Sequence, residues 1–343
     1  MEETSLHFNY VYFNSNTYGW KKADAAEYNA ICLKDVSEMK GVQVVSCPLE
    51  HKSAFLRFLF NVHNSTKLNK RFKMPFRRFW YPFYFRSTDN DNNKDYCFVI
   101  ANTVPIGYLR YLKKKYPNCK LVKVYKDLLK VSSSVPGYSE EATRQLFDLR
   151  YTYDKIEAQK YNMIHYDEIE SKIDIQRSND YPTSDVFFAG KAKDRLSKIY
   201  EAYEVFSKAG LKCEFFITGV PSRLQIQRPG ITFLKRYMSY RQLLQHAINS
   251  RCLLDISQSE AHGFTSRISE AIIYNKRIIL DHRAALDSPY YNSNYMQVVD
   301  TVSDIDSSFV TREDAVDYHY SGDYSPINFI RKMDLELLNH KSK

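Results

Sequence analysis

A chain of 343 residues with 44% hydrophobic and 15% aromatic side chains can fill two cores of roughly 150 residues each, which excludes a disordered chain. No apolar run nears the ~18 residues of a membrane span, and the acidic, polar first residues lead into no charge-free apolar core, so no secretory signal is expected. The formal charge of +9 suggests anionic partners, among which nucleic acid, a membrane surface and phosphorylated small molecules or lipid carriers all qualify.

Six cysteines (Cys32, Cys47, Cys97, Cys119, Cys213, Cys252) stand singly in mostly apolar segments with no C-x-x-C pair, the pattern of buried, reduced thiols in a cytoplasmic protein. The nine histidines are scattered, so spacing yields no metal site, and no cofactor is expected.

In chain order, His7 to Phe13 reads as a strand, Lys22 to Met39 as a helix ending at Gly41, Val42 to Cys47 as a strand and Ser53 to Val62 as a helix. Lys67 to Arg86 follows, with seven Lys or Arg among eight aromatic residues. Three readings of it stay open: aromatics in the core with charges at the rim, a surface for anionic membranes, or a nucleic-acid platform. Asp89, Asp91, Asn93 and Asp95 alternate as in a calcium loop, but Lys94 and Ile100 stand where that loop needs Gly and Glu, so no calcium is expected.

Cys97 to Asn102 reads as a buried strand, Pro105 to Tyr116 as a helix and Cys119 to Tyr125 as the next strand. The loops after these strands carry Asn102, Thr103 and Asp127, candidates for a site wall, with turn or cap chemistry as the plain alternative. Ser139 to Leu146 and Lys155 to Tyr161 read as short helices around a strand at Asp148 to Asp154. Periodicity is lost from Ser171 to Ser184, where Pro182 lies, which divides the chain into domains at 1–175 and 183–324.

The second half reads as a βαβα domain with a parallel sheet. Asp185 to Ala189 is a strand, and Asp194 is the expected N-cap of a helix whose stripe is Leu196, Ile199, Tyr200, Tyr203 and Phe206. Leu211 to Thr218 is a strand, and Ser239 to Gln242 forms a capping box before Leu243, Leu244, Ala247 and Ile248. Strands at Cys252 to Ile256 and Arg277 to Leu280 flank a helix opening near Thr265, with Arg267 and Glu270 sharing one face. A strand at Met296 to Val299 and a final helix at 325–343, expected to pack back on the N-terminal domain, complete the chain.

At the carboxyl ends of parallel strands, two loops would meet. Gly190 to Arg195 supplies Lys191, Lys193 and Arg195 beside a helix N-terminus, which suits a diphosphate. Gln258 to Arg267 leads to Glu270, whose two oxygens can accept from the vicinal hydroxyls of a ribose. Together these describe a nucleotide-sugar, although a Lys/Arg turn and a helical Glu are also common surface features. Neither G-x-G-x-x-G nor G-x-S-x-G occurs, which argues against a nicotinamide oxidoreductase and an α/β-hydrolase.

DVFFAGKAKDRLSKIYEAYEVFSKAGLKCEFFITG, followed by CLLDISQSEAHGFTSRISEAIIYNKRIIL, resembles the donor-binding domain of bacterial surface-polysaccharide and lipopolysaccharide glycosyltransferases with the GT-B fold. The resemblance covers residues 145 to 300, from FDLRYTYDKIEAQKY onward, and is strongest at G-K-x-K-x-R and H-G-F-T-x-R-x-x-E-A. It implies an α/β fold of two facing Rossmann-like domains with parallel sheets and a deep interdomain cleft, the first domain binding the acceptor and the second the donor.

The resemblance further implies transfer of a hexose from a nucleotide diphosphate sugar, expected to be uridine-linked and including galactose or galactofuranose, to a glycan or lipid-linked glycan in capsule, exopolysaccharide or lipopolysaccharide assembly. It implies no obligatory metal, a ribose held by Glu270 and a leaving diphosphate neutralised by the basic groups near Gly190; Lys193, Arg195 and Arg267 are expected to take that task with the Thr265 helix start assisting, and Lys191, Gly263 and Phe264 complete the expected donor-binding set. His262 is expected on the diphosphate or the sugar, Asp127 as the base, and Asn102 and Thr103 on the acceptor side.

In the retaining group an E-x7-E pattern often ends at the ribose Glu. Here His262 stands at the first Glu, with Glu260 two residues earlier, so the stereochemical course does not follow. The expected place is the cytoplasm, with peripheral contact at the inner, anionic face of the membrane and no nucleic-acid partner. A noncatalytic subunit that only recognises glycan or nucleotide-sugar is the alternative, and a nucleic-acid-binding protein is the third reading.

Overall fold

The computed structural model describes residues 5–13, 30–45, 53–65, 68, 71–72, 75–86, 93–102, 104–133, 137–236, 238–258 and 264–340. They form two compact units, one of Met1–Ser171 with Ser325–Lys343, the other of Lys172–Tyr324.

The first unit runs β1 (Asn9–Phe13), α1 (Lys34–Ser37), β2 (Val42–Val45), α2 (Ala54–Asn64), α3 (Tyr81–Tyr84), β3 (Tyr96–Ile100), α4 (Ile106–Lys115) and β4 (Lys120–Tyr125). It continues with α5 (Leu129–Ser133), α6 (Glu140–Leu146), β5 (Leu149–Thr152), α7 (Lys155–Lys160) and β6 (Ile164–His165). The sheet is wholly parallel in the order β2-β1-β3-β4-β5-β6. The central strands β1 and β3 are nearly continuous apolar runs because both faces are covered. Tyr10, Tyr12, Val99 and Val122 face one core, whereas Val11, Phe13, Phe98 and Leu121 face the other, the period-two alternation of a pleated strand.

The second unit runs β7 (Ser184–Lys191), α8 (Leu196–Lys208), β8 (Cys213–Thr218), β9 (Ile231–Leu234), α9 (Tyr240–Asn249), β10 (Ser250–Asp255), α10 (Ser266–Ile273), β11 (Arg277–Leu280), β12 (Met296–Val298) and α11 (Ser308–Thr311). All neighbours are again parallel, in the order β12-β11-β10-β7-β8-β9. Ile199, Ala202 and Phe206 of α8 cover one face, and Ala247 of α9 with Ile268, Ala271 and Ile272 of α10 cover the other. The α9 capping box is formed, Ser239 accepting from the backbone of Gln242 and Gln242 reaching back to Ser239.

The last helix, α12 (Pro326–His340), packs in the first unit, where Phe329, Ile330, Met333 and Leu337 join the core around Tyr10 and Tyr151. Buried Asp334 accepts from the Tyr10 hydroxyl at 3.0 Å and from the His7 backbone, which anchors this helix to the start of β1.

Several elements depart from expectation. Asp194 is not the N-cap of α8: Arg195 takes that place with no side-chain cap bond, as a guanidinium has no acceptor to offer the helix N–H groups. Residues 22–29 of the first expected helix lie outside the described residues, and its described end is interrupted by a turn at Leu33. The four-residue β9 and the two-residue β6 are too short and too exposed for a periodic signal.

Candidate functional site

In each sheet the strand order reverses once, between β1 and β3 in the first unit and between β7 and β10 in the second. Open parallel sheets bind ligands beyond the carboxyl ends of the strands at such a reversal. In the second unit the described residues there are the Gly190–Arg195 turn after β7, Ile256 to Gln258 after β10, and Thr265 at the start of α10. The two expected loops are thus neighbours through topology, although more than sixty residues separate them.

They are also bonded to one another. Lys193, with a left-handed φ of 45°, donates from Nζ to Gln258 Oε1 at 2.5 Å. Arg195 donates to the carbonyl oxygens of Lys191 and Ile256 and lies over the Phe188 ring at 5.6 Å. Glycine at position 190 makes this possible, since a Cβ there would stand 2.8 Å from the Arg195 guanidinium. Lys191 is exposed, its stem lying across Gly219. Two of the three cations expected to meet a diphosphate therefore already hold the turn closed.

Arg267 and Glu270, one helical turn apart on α10, form a buried ion pair, with Glu270 only 2% exposed. Tyr240 at the start of α9 donates to Glu270 Oε1 at 3.2 Å, and Arg267 lies over the Phe187 ring at 5.4 Å with Ala189 O at 3.5 Å. Burial raises the Glu270 carboxyl above its ordinary range, while Arg267 and the Tyr240 hydroxyl oppose that rise. Glu270 is thus a fixed acceptor in the floor of the site, and its truncation would leave Arg267 without its carboxylate.

Sequence reasoning missed a second cluster beside it. Asp255, the last residue of β10, accepts from the Thr265 hydroxyl at 2.6 Å and pairs with His282 Nε2 at 2.9 Å. Burial would raise Asp255, but the hydrogen bonds from His282 and Thr265 and the charges of His282 and Arg195 prevail and hold it at about 2. For His282 burial favours the neutral ring, yet the bond to Asp255 and its charge prevail and raise the imidazole above its ordinary value. Next to it, Asp281 accepts from Ser257 N at 2.6 Å and from Lys198 Nζ at 2.7 Å. The signal was present as CLLD and IILD, apolar strands each followed by an aspartate at the ligand-binding edge.

The remaining candidates are placed less centrally. Thr265 is the N-cap residue of α10, but its hydroxyl serves Asp255 instead of the helix backbone. Phe264 is a buried core residue against Tyr324, at 5.5 Å between rings. His262 and Gly263 lie outside the described residues, as does Thr103. In the first unit Asn102 follows β3, its backbone N–H donating to Phe13 O at 3.4 Å, and Asp127 is exposed in the bend after β4. Among the described residues no group of three or more His, Cys, Asp or Glu is arranged to hold a metal, and no helix is long and apolar enough to cross a membrane.

No protein-family model and no curated protein matches this chain. Among solved structures, the N-terminal domain of trehalose-6-phosphate phosphatase from Candida albicans is similar at 9% identity and a TM-score of 0.51, over 98% of this chain and 100% of that one. The apo form of the lipopolysaccharide outer core galactosyltransferase WaaB aligns at 13% identity and 0.49, over 97% and 99%. The UDP-N-acetylglucosamine 2-epimerase from Rickettsia bellii aligns at 12% and 0.45, over 97% and 96%. The first of these likenesses concerns the fold alone: two parallel, six-stranded α/β units, the class expected from the sequence.

Proposed function

We propose that this chain is a glycosyltransferase that binds a nucleotide diphosphate sugar at the β7/β10 reversal of its second unit and passes the sugar, a hexose from a uridine diphosphate carrier, to a glycan or lipid-linked glycan. The observation that carries the reading is Glu270, a carboxylate held by Arg267 and Tyr240 where the strand order reverses. A fixed acceptor there suits the paired hydroxyls of a ribose. The start of α10 and the Arg267 guanidinium supply positive potential for the diphosphate within one helical turn.

Stabilising the departing diphosphate is the main chemical task, since a preorganised positive site lowers the barrier as negative charge gathers on the leaving oxygen. Lys191 is exposed at the end of β7 and can reach such a ligand. Lys193 and Arg195 act through the turn they hold, giving up part of their present bonding if they contact phosphate directly. On this reading the acceptor belongs to the first unit, with Asp127 as general base and Asn102 beside it, while His262, Gly263 and Thr103 keep the roles implied by resemblance.

A melting-temperature panel of nucleotide diphosphates and nucleotide-sugars tests this on the wild type and Glu270→Gln. At ligand ~100 times its dissociation constant, binding adds about 2.7 kcal/mol. Stabilisation by one nucleotide that fades in the variant, together with release of sugar from its conjugate, is the expected result. Binding without sugar release would assign the chain to the noncatalytic reading, and no stabilisation by any nucleotide would remove the proposal.

A further inference from the structure

The aromatic, basic stretch of the first unit is divided by the fold into two populations. Phe60, Trp80, Tyr81, Tyr84 and Phe85 are buried, with Trp80 donating to His63 Nδ1 at 2.9 Å and stacking edge-on with Phe60 at 5.4 Å. Phe55, Phe58, Leu59, Phe72, Phe76 and Phe79 remain exposed, Phe76 by 82%. The helix α2 is apolar on both sides: Leu56 and Phe60 face the core, while Phe55, Phe58 and Leu59 make a second stripe at i, i+3 and i+4 toward solvent. Isolated exposed apolar residues are ordinary, but six large ones on two adjoining segments are not.

The two segments form one packed piece. The Phe79 ring lies edge-on to Trp80 at 5.3 Å, and Trp80 clasps α2 through Phe60 and His63. Phe76, directly before the 3₁₀ turn of Arg77–Trp80, has a left-handed φ of 56°, uncommon for a bulky side chain. A groove of about 640 Å³ opens between Phe76, Phe79, Tyr81, His63 and the side chains of Arg77 and Arg78. From Ser53 to Arg86 the sequence holds eight Lys or Arg and not one Asp or Glu.

We infer that residues 53–86 dock on an anionic lipid bilayer, with Phe55, Phe58, Leu59, Phe72, Phe76 and Phe79 entering the boundary between headgroups and acyl chains and Arg71, Arg77 and Arg78 holding lipid phosphates. Charge complementarity selects this occupant. A second copy of the chain would set two wholly cationic segments against each other with no acid within either to pair them. Nucleic acid could stack bases on the Phe rings but would leave the aliphatic Leu59 uncovered, whereas an acyl-chain boundary covers rings and aliphatic side chains alike. The 11 residues of α2 extend about 16 Å, half the hydrocarbon thickness of about 30 Å, so the helix lies on the bilayer and does not span it. The inference is independent of what the second unit binds.

Co-flotation of the full chain with vesicles tests it, using phosphatidylcholine alone and phosphatidylcholine with about one-third phosphatidylglycerol. The wild type is expected to float with the anionic vesicles and not with the neutral ones. Binding should weaken roughly tenfold in Phe55→Ser/Phe58→Ser and in Phe76→Ser/Phe79→Ser, and less in Arg77→Gln/Arg78→Gln, whose binding should also become less sensitive to salt. Unchanged melting temperatures would confirm that these exposed positions leave the fold intact. Flotation that is absent, equal on both vesicles, or unaffected by the Phe changes would overturn the inference. A concentration-dependent dimer or an oligonucleotide complex lost in the same variants, without vesicle binding, would equally overturn it and assign the surface to that partner.

Discussion

At the strand-order reversal of the second unit, Arg267 and Glu270, Asp255 and His282, and Asp281 with Lys198 form three pairs, with Arg267, Glu270 and Asp255 buried, His282 and Asp281 half-buried and Lys198 exposed. Near the reversal of the first unit a buried charge-bearing group among the described residues is Lys123, which donates to the carbonyls of Ile100 and Val124 and lies over the Tyr125 ring at 5.1 Å, while Asp127 is exposed. Among the described residues, the same topology thus carries paired, largely covered charges in one unit and, in the other, a buried ammonium bonded to carbonyl oxygens. Buried ion pairs are weak sources of net stability, so these pairs add less to the fold than their number suggests.

The sharpest way to break that contrast is Glu270→Ala. It leaves the Arg267 cation buried, and about 4 kcal/mol of stability should be lost, read from a denaturant titration. Arg267→Met/Glu270→Leu should recover most of it while ligand stabilisation stays absent. Equal stability of the wild type and the alanine variant would mean that the pair is relaxed by water.

Lys123 probes the other edge. Burial, with Lys126 adding repulsion, lowers its ammonium to about 7, so the unfolded chain binds a proton that the folded chain does not between pH 7 and its ordinary value near 10. Wild-type stability should therefore rise with pH across that window, and Lys123→Met should be more stable at neutral pH by about 3 kcal/mol, the advantage closing toward pH 10. A parallel pH dependence in both proteins would show that Lys123 is solvated.

Asp255 yields a smaller effect, and its removal destabilises where that of Lys123 stabilises. Its folded value of about 2 lies below the ordinary carboxylate, so its contribution is present above about pH 4 and is lost as pH falls toward 2. His282 is raised, so its contribution is complete below about pH 6.5 and fades as pH rises through the folded value. Asp255→Asn should cost about 2 kcal/mol at pH 6 and flatten both limbs of the stability profile, whereas His282→Gln should remove the alkaline limb and flatten the acid limb only in part, since Thr265 and Arg195 still hold Asp255 down. Smallest of all, Ser239→Ala removes one half of the α9 capping box and should cost about 1 kcal/mol without changing ligand binding, which would separate loss of stability from loss of the site.

Much of the second unit was legible because its elements announce themselves locally. The apolar strands, the stripes of α8 and α10 and the Ser239 capping box depend on residues within a few positions of one another. The site was half legible: Arg267 and Glu270 share a helical face by spacing alone, but nothing local predicts Tyr240 as the partner of Glu270 from thirty residues away. Asp194 was misread because a favourable cap residue was judged without knowing that Arg195 would fold back onto the strand ends.

By itself the sequence determined that the chain alternates strands and helices in two α/β halves, where the Gly190–Arg195 turn and the Thr265 helix start fall, and that residues 53–86 are cationic and aromatic. Those properties reside in composition and short-range period. Only the tertiary structure decided which charges meet and which aromatics are covered. Lys193 finds Gln258 and Asp255 finds His282 because strand order places β7, β10 and β11 side by side. Trp80 is buried while Phe76 and Phe79 are exposed because a continuous aromatic run has no internal period, so its inner face is set by what packs against it.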